Sequence, residues 1–258
     1  MDVTIIEMKL RNIFPYSINK RLFGDRERFG MIIEEKDKDW VEWMNFYEEF
    51  YHNTQKKGVG DYINELGYRI LGDIDFDQKT ILEVGPGSLP HMKFWQGKPK
   101  KYFIADVNNF FLSQSLEKIP DIGEPLLLKR ENKIDLEDNS IDILITFYCL
   151  EHILDLKNQL LDYRRIIKPG GLLVGGIPNE GHFMWGLGRY LTSRRFVHKN
   201  SSINYDKIIC WEHPNYADTV LDNIIDTGFV EVKKNSLPLG RFTPMDLNLI
   251  TSFIYKNI

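Results

Sequence analysis

This sequence predicts a doubly wound α/β domain with a mostly parallel seven-stranded sheet, an N-terminal helical cap and a late insertion. Three observations predict it. From Thr80 onward, apolar runs of strand length alternate with helix patterns. The first run, Ile81 to Val84, passes directly into the glycine-rich turn Gly85-Pro86-Gly87. The 258 residues, 43% hydrophobic and 27% charged, can bury one such core with additions.

Residues 1–75 read as the cap. Trp40, Trp43, Met44, Tyr47, Phe50 and Tyr51 recur at helical spacing between acidic positions, as core packing or as the wall of a substrate pocket. A second helix begins near Asp61, carries Tyr62, Ile63, Leu66 and Ile70, and stops at Gly72. Residues 76–258 form the main domain. Its strands are expected at Ile81–Val84, Tyr102–Ala105, Leu126–Leu128, Ile141–Thr146 and Leu172–Ile177. Helices fall between them, around Met92–Trp95, Phe110–Leu116 and Asp155–Ile167. This alternation implies a parallel sheet covered on both faces. After a segment of roughly 179 to 212 comes a helix over about 214–226, then strands at Phe229–Val232 and Leu249–Tyr255. The last two lie too close for a crossover, so they form an antiparallel hairpin at the sheet edge.

Charge and composition exclude some functions. A formal net charge of -4 gives no global attraction to nucleic acid or anionic lipid. Asp2, Glu7, Lys9 and Arg11 break the first fourteen residues, which therefore do not read as a signal peptide. No run approaches the roughly 20 apolar residues that cross a bilayer. Cys149 and Cys210 form no metal or disulfide pattern, so a reducing cytoplasm is the expected location.

The chemistry centres on Ile81-Leu82-Glu83-Val84-Gly85-Pro86-Gly87-Ser88. Glycines after a buried strand let the backbone approach a ligand, and a helix start offers free N–H groups to it. Asp106 follows the second strand, where a carboxylate can accept from both hydroxyls of a ribose. A dinucleotide fingerprint would put a third glycine where Pro90 stands, and it does not call for Glu83. Further motifs follow in order: Asn139-Ser140-Ile141-Asp142, Leu150-Glu151-His152-Ile153, Lys168-Pro169-Gly170-Gly171 and Thr227-Gly228-Phe229.

With these motifs the chain resembles the class I S-adenosylmethionine-dependent methyltransferases, in their small-molecule group, closely over residues 78–178 and loosely over 213–256. The resemblance implies S-adenosylmethionine as cofactor. Glu83, Gly85 and Gly87 would line its methionine and ribose part, Asp106 would hold the ribose hydroxyls, and Val107 would flank the adenine. Glu131 or Asn132 would meet the adenine amine. Leu89 stands where family members often have a third glycine, which keeps a non-catalytic scaffold protein of the same fold as the alternative. For Glu83 a buried acid without a ligand is the other reading, and for Asp106 a turn residue.

Methyl transfer to a hydroxyl needs alignment and a base. Tyr148, Glu151, His152, His182 and His213 belong to the expected C-terminal edge of the sheet. His152 is the expected base or a helix-start hydrogen bonder, with Glu151 and His213 as its catalytic company. Tyr148 occupies the position of an acid that joins a metal pair in ubiquinone-type O-methyltransferases, so no metal is expected. Gly181 to Tyr205 carries no acid but holds His182, Arg189, Arg194, Arg195, His198 and Lys199. It reads as a lid binding an anionic group, as an amphipathic segment making peripheral membrane contact, or as a solvated helical insertion. Tyr148, His182, Arg194 and Arg195 are the expected substrate-binding residues. Thr146-Phe147-Tyr148-Cys149 lacks the signature of DNA amino-methylating enzymes. The expected activity is O-methylation of a small polar acceptor such as a sugar or glycoconjugate.

Overall fold

Short, doubly buried apolar runs make the central strands, and the charged ones make the edges. The computed structural model describes residues 9–50, 59–128, 133–240 and 242–258. β1 (Thr80–Val84), β2 (Lys101–Asp106), β3 (Gly123–Leu127), β4 (Ile141–Phe147) and β5 (Ile167–Pro178) run parallel. β6 (Phe229–Leu237) and β7 (Ile250–Asn257) complete a sheet of order β3-β2-β1-β4-β5-β7-β6. β7 is antiparallel to both β5 and β6. The expected hairpin is therefore present, and β7 is its inner strand. Burial explains the choice: β7 is buried along nearly its whole length, whereas β6 carries Glu231, Lys233 and Lys234, charges that blunt an open edge.

The helices follow in chain order as α1 (Tyr16–Phe23), α2 (Arg26–Phe29), α3 (Lys38–Phe50), α4 (Val59–Tyr68) and α5 (Asn109–Leu116). Then come α6 (Leu156–Ile166), α7 (Phe183–Leu191), α8 (Ser193–Asn200), α9 (Tyr205–Glu212) and α10 (Ala217–Asp226). The period of two along β1 divides the core. Leu82 and Val84 face α6 and α10 through Leu160, Tyr163, Val220 and Ile224. Ile81 faces the opposite layer of Leu71, Phe76, Leu112 and Ile119.

Two expectations change. The segment around Met92–Trp95 is a three-residue 3-10 turn, Met92–Phe94, so no helix of useful length begins at the glycine turn. Only sixteen residues separate the end of β1 from β2, and Pro90 withholds a backbone N–H within them. The segment after β5 folds into α7, α8 and α9, which pack on the N-terminal helices. Trp40 and Trp43 of α3 join Val197, Ile203, Tyr205, Ile208 and Trp211 in a third core. Trp43 is fully buried and donates to Glu212 Oε1 at 2.7 Å, so the aromatic stripe is packing at its centre. Met44 is exposed, and Tyr51 lies outside the described residues. Among the described residues no helix is long and apolar enough to cross a membrane.

Candidate active site

The parallel strands end together, and the turns beyond β1, β2, β4 and β5 form the site in two halves. In the first half, Gly85 and Gly87 have φ of 71° and 55°, a left-handed backbone that favours glycine. A Cβ on Gly85 would come within 3.2 Å of Cys149 Sγ, whereas one on Gly87 would meet nothing within 4 Å. The second glycine therefore keeps a face of the turn open for close approach.

Leu89 keeps the same left-handed backbone, with φ of 50°, and is buried in the core. A side chain in that conformation costs roughly 1–2 kcal/mol. Full burial of a leucine stabilises by about 1.5–3 kcal/mol, which offsets the cost. The departure from glycine changes the residue and leaves the turn's conformation intact.

Asp106 ends β2, half-buried, and accepts from Asn108 N at 2.8 Å. Burial raises its pKa against the two backbone N–H groups that lower it. Val107, Phe110 and Leu127, around the ends of β2 and β3, are each more than half exposed, so apolar surface lies beside this carboxylate. A planar apolar group can cover it. Glu83 differs from expectation. Its Oε1 accepts from His91 Nε2 at 2.7 Å and its Oε2 from Tyr102 OH at 2.5 Å, and it is 1% exposed. Neither carboxylate oxygen lies open to solvent at the turn, so Glu83 is a buried, fully paired acid. Glu131 and Asn132 lie outside the described residues.

The second half begins at Tyr148. Its φ of 54° turns the chain sharply off β4, and its hydroxyl donates to Asn64 O at 3.2 Å. The 3-10 turn Leu150–His152 follows. Asn215 reaches back and donates to Ile153 O at 2.6 Å, which draws His213 against this turn. The His152 and His213 rings meet edge to face at 4.6 Å, and Glu151 Oε1 lies 3.9 Å from His152 Nε2. The three expected catalytic residues are thus brought together.

A fourth was not expected. Glu180, two residues past β5 and fully buried, accepts from His213 Nδ1 at 3.0 Å and from Trp185 Nε1 at 2.6 Å, both on Oε2. The only sequence signal was an acid just beyond a strand's C-terminal end. Burial opposes ionisation of Glu180, but the bond and charge of His213, with Arg189 and Arg26, bring it to about 2. Burial likewise opposes the charge on His213, yet Glu180, Glu151 and Glu212 outweigh it and raise His213 above the ordinary imidazole value. Burial lifts Glu151 to about 7 against the pull of His213. Glu151 Oε2 and Glu180 Oε1 are buried without a hydrogen-bond partner.

His152 donates from Nδ1 to Glu212 O at 2.7 Å, which fixes its tautomer. Its pKa is lowered by partial desolvation and by the His213 charge, so its Nε2 is a weakly basic lone pair. Of the two imidazoles His213 is therefore the more basic.

Arg194, Arg189 and His182 of the expected lid are engaged within the protein. Arg194 makes a bidentate bridge to Asp206 at 2.8 to 3.1 Å, tying α8 to α9, because the acid missing from the basic stretch stands one residue beyond it. Arg189 donates to Leu22 O and Arg21 O, and Arg195 is exposed. His182 is buried at the start of α7, 3.5 Å from Asp246 Oδ1, enclosed rather than offered to an acceptor.

A seven-stranded sheet of this order, with left-handed glycines after β1 and an acid after β2, defines the class I methyltransferase architecture. Residues 82–175 match the methyltransferase domain family. The malonyl-[acyl-carrier protein] O-methyltransferase of Xylella fastidiosa is 30% identical over 121 residues, 43% of this chain and 40% of that protein. A highly reducing polyketide synthase of Penicillium polonicum, verA, is 24% identical over 55% of this chain and 6% of its own length. The chain thus spans less than half the length of the curated relatives it matches. Among solved structures, the CurJ carbon methyltransferase aligns over 93% of this chain and 66% of its own at a TM-score of 0.57 and 15% identity. An S-adenosylmethionine dependent methyltransferase from Aquifex aeolicus aligns over 78% and 100% at 0.51 and 15%. Residues 82–175 thus carry a methyltransferase-domain match on a fold shared with S-adenosylmethionine dependent methyltransferases, consistent with that molecule as the cofactor.

Proposed function

We propose that this chain transfers a methyl group from S-adenosylmethionine to a hydroxyl of a small polar acceptor, with His213 as the base. The observation that carries this is the Glu180–His213 pair, 3.0 Å apart at the end of β5 and edge-on to His152 at the end of β4. The cofactor supplies a methyl on a sulfonium, electrophilic without further activation. Gly85 and Gly87 hold its methionine end and Asp106 its ribose, with Val107 beside the adenine. Neutral His213 keeps its Nδ1 proton and donates that N–H to Glu180 as a hydrogen bond, so Nε2 is the lone pair that takes the hydroxyl proton as the new bond forms.

Two carboxylate oxygens without partners, on Glu151 and Glu180, suit an acceptor rich in hydrogen-bond donors, such as a sugar or glycoconjugate. The pairing of Arg194 and Arg189 gives no support to recognition of a phosphate. The Xylella relative is an O-methyltransferase, which supports oxygen as the atom methylated. Residues 1–75 and the insertion of about 179–212 together cap the domain of 76–258. The third core covers α3, α8 and α9, which leaves less apolar face for a membrane surface. Free Cys149 and Cys210 suit a reducing cytoplasm. The intact turn at Leu89 favours an active enzyme over a scaffold.

Calorimetry with S-adenosylhomocysteine tests cofactor binding. Release of that product is then scored across sugars, nucleotide sugars and malonyl or β-ketoacyl thioesters. Turnover of a hydroxyl-bearing sugar is expected; turnover confined to thioesters would replace the sugar reading.

A further inference from the structure

Beneath the glycine turn lies a closed polar chain of four side chains. Trp95 Nε1 donates to His91 Nδ1 at 3.1 Å, so the ring proton of His91 sits on Nε2. That proton goes to Glu83 Oε1 at 2.7 Å, and Tyr102 OH donates to Glu83 Oε2 at 2.5 Å. Glu83 and His91 are each 1% exposed and Tyr102 is fully buried. Rings pack around the chain: Trp95 stacks on Tyr102 at 4.9 Å and on Phe76 at 5.6 Å, and Tyr68 lies 5.5 Å from His91. Each donor here meets an acceptor.

The covalent connection gives this chain its consequence. Glu83 is the penultimate residue of β1, two residues before Gly85, and His91 stands four residues after Gly87. Their hydrogen bond therefore spans the base of the turn 84–90, like a drawstring. The turn holds three left-handed residues, Gly85, Gly87 and Leu89, and no regular helix follows to anchor it. We infer that His91 is a positioning residue for the methyl donor, holding the turn in shape through Glu83, and that Glu83 acts from beneath the turn rather than as a direct ligand. This rests on the reading that the turn receives S-adenosylmethionine.

An unpartnered buried carboxylate oxygen is costly, so loss of the His91 donor relaxes the turn. Calorimetry with S-adenosylhomocysteine and steady-state kinetics on His91→Phe and His91→Gln test the inference. His91→Phe keeps the bulk and loses the donor; cofactor affinity should fall about tenfold or more. The KM for S-adenosylmethionine should rise alike, while kcat at saturating cofactor stays within about threefold. His91→Gln places an amide N–H near the position of Nε2 and should restore affinity to within a few-fold of wild type. Should His91→Phe fail to fold, Tyr102→Phe removes the other donor to Glu83 at nearly constant volume. It is expected to show a smaller loss of the same kind. Wild-type affinity in His91→Phe, or in Tyr102→Phe where His91→Phe does not fold, would overturn the inference, as would a Gln variant as weak as the Phe variant. Absence of cofactor binding to the wild-type chain would instead overturn the underlying reading of the site.

Discussion

Two glutamate–histidine pairs stand at the strand ends, each with a buried acid, and they are not alike. In Glu83–His91 each carboxylate oxygen has its own donor and each ring nitrogen its own partner. In Glu180–His213 one oxygen accepts two bonds and the other none, and the neighbouring Glu151 also has a bare oxygen. The first pair has every polar group satisfied and can only hold a shape. The second leaves polar groups in a low-dielectric place without partners, the condition under which a substrate's own groups complete the set. On the proposed reading, similar residue types serve support at β1 and chemistry at β5, and hydrogen-bond completeness separates them.

The sharpest way to break this comparison is His213→Asn. Removing a positioned base should lower kcat by about 10²–10⁴-fold, with cofactor affinity held within a few-fold. Steady-state kinetics with calorimetry reads both, and full activity would point to an acceptor that needs no base. Next in size is His152→Ala. Its weakly basic ring contacts His213 and the Glu212 carbonyl, so kcat should fall only about tenfold. A loss matching that of His213→Asn would return the base to His152. Smallest is the lid. Arg194→Ala should cost about 1 kcal/mol or less in thermal unfolding, the range of partly exposed ion pairs, and leave acceptor KM unchanged. A large rise in KM would restore the anion-binding role of that helix.

The sheet was legible because its signals are local. Ile81 to Val84, Ile141 to Thr146 and the Lys168-Pro169-Gly170-Gly171 turn each declare themselves within a few residues. The order of the last two strands was harder, since burial of β7 against β5 is a tertiary outcome. The places of Asp106 at the end of β2 and of the left-handed glycines after β1 were legible through spacing. The fate of Glu83 was not, because it depends on His91 and Tyr102 arriving from other segments. The partner of Arg194 was hidden for the same reason: a window ending at Tyr205 excludes Asp206. Glu180 went unseen because nothing in Pro178-Asn179-Glu180 announces that His213, 33 residues on, will fold back to it.

The central claim, that Glu180 tunes His213 as the base, is tested most directly by the pH dependence of kcat/KM in wild type and Glu180→Gln. Glu180, Glu151, Glu212 and His152 all act on His213, and the acids raise its pKa. A base works unprotonated, so wild-type activity should climb with pH through a limb lying above the ordinary imidazole value of about 6.5. Removing the Glu180 charge favours the neutral ring, so in the variant that limb should move to lower pH while the plateau falls. The sign is the same for stability: a raised histidine stabilises fully below about 6.5 and loses that contribution as pH rises through its folded value. A variant whose limb stays in place, or moves to higher pH, would contradict the account.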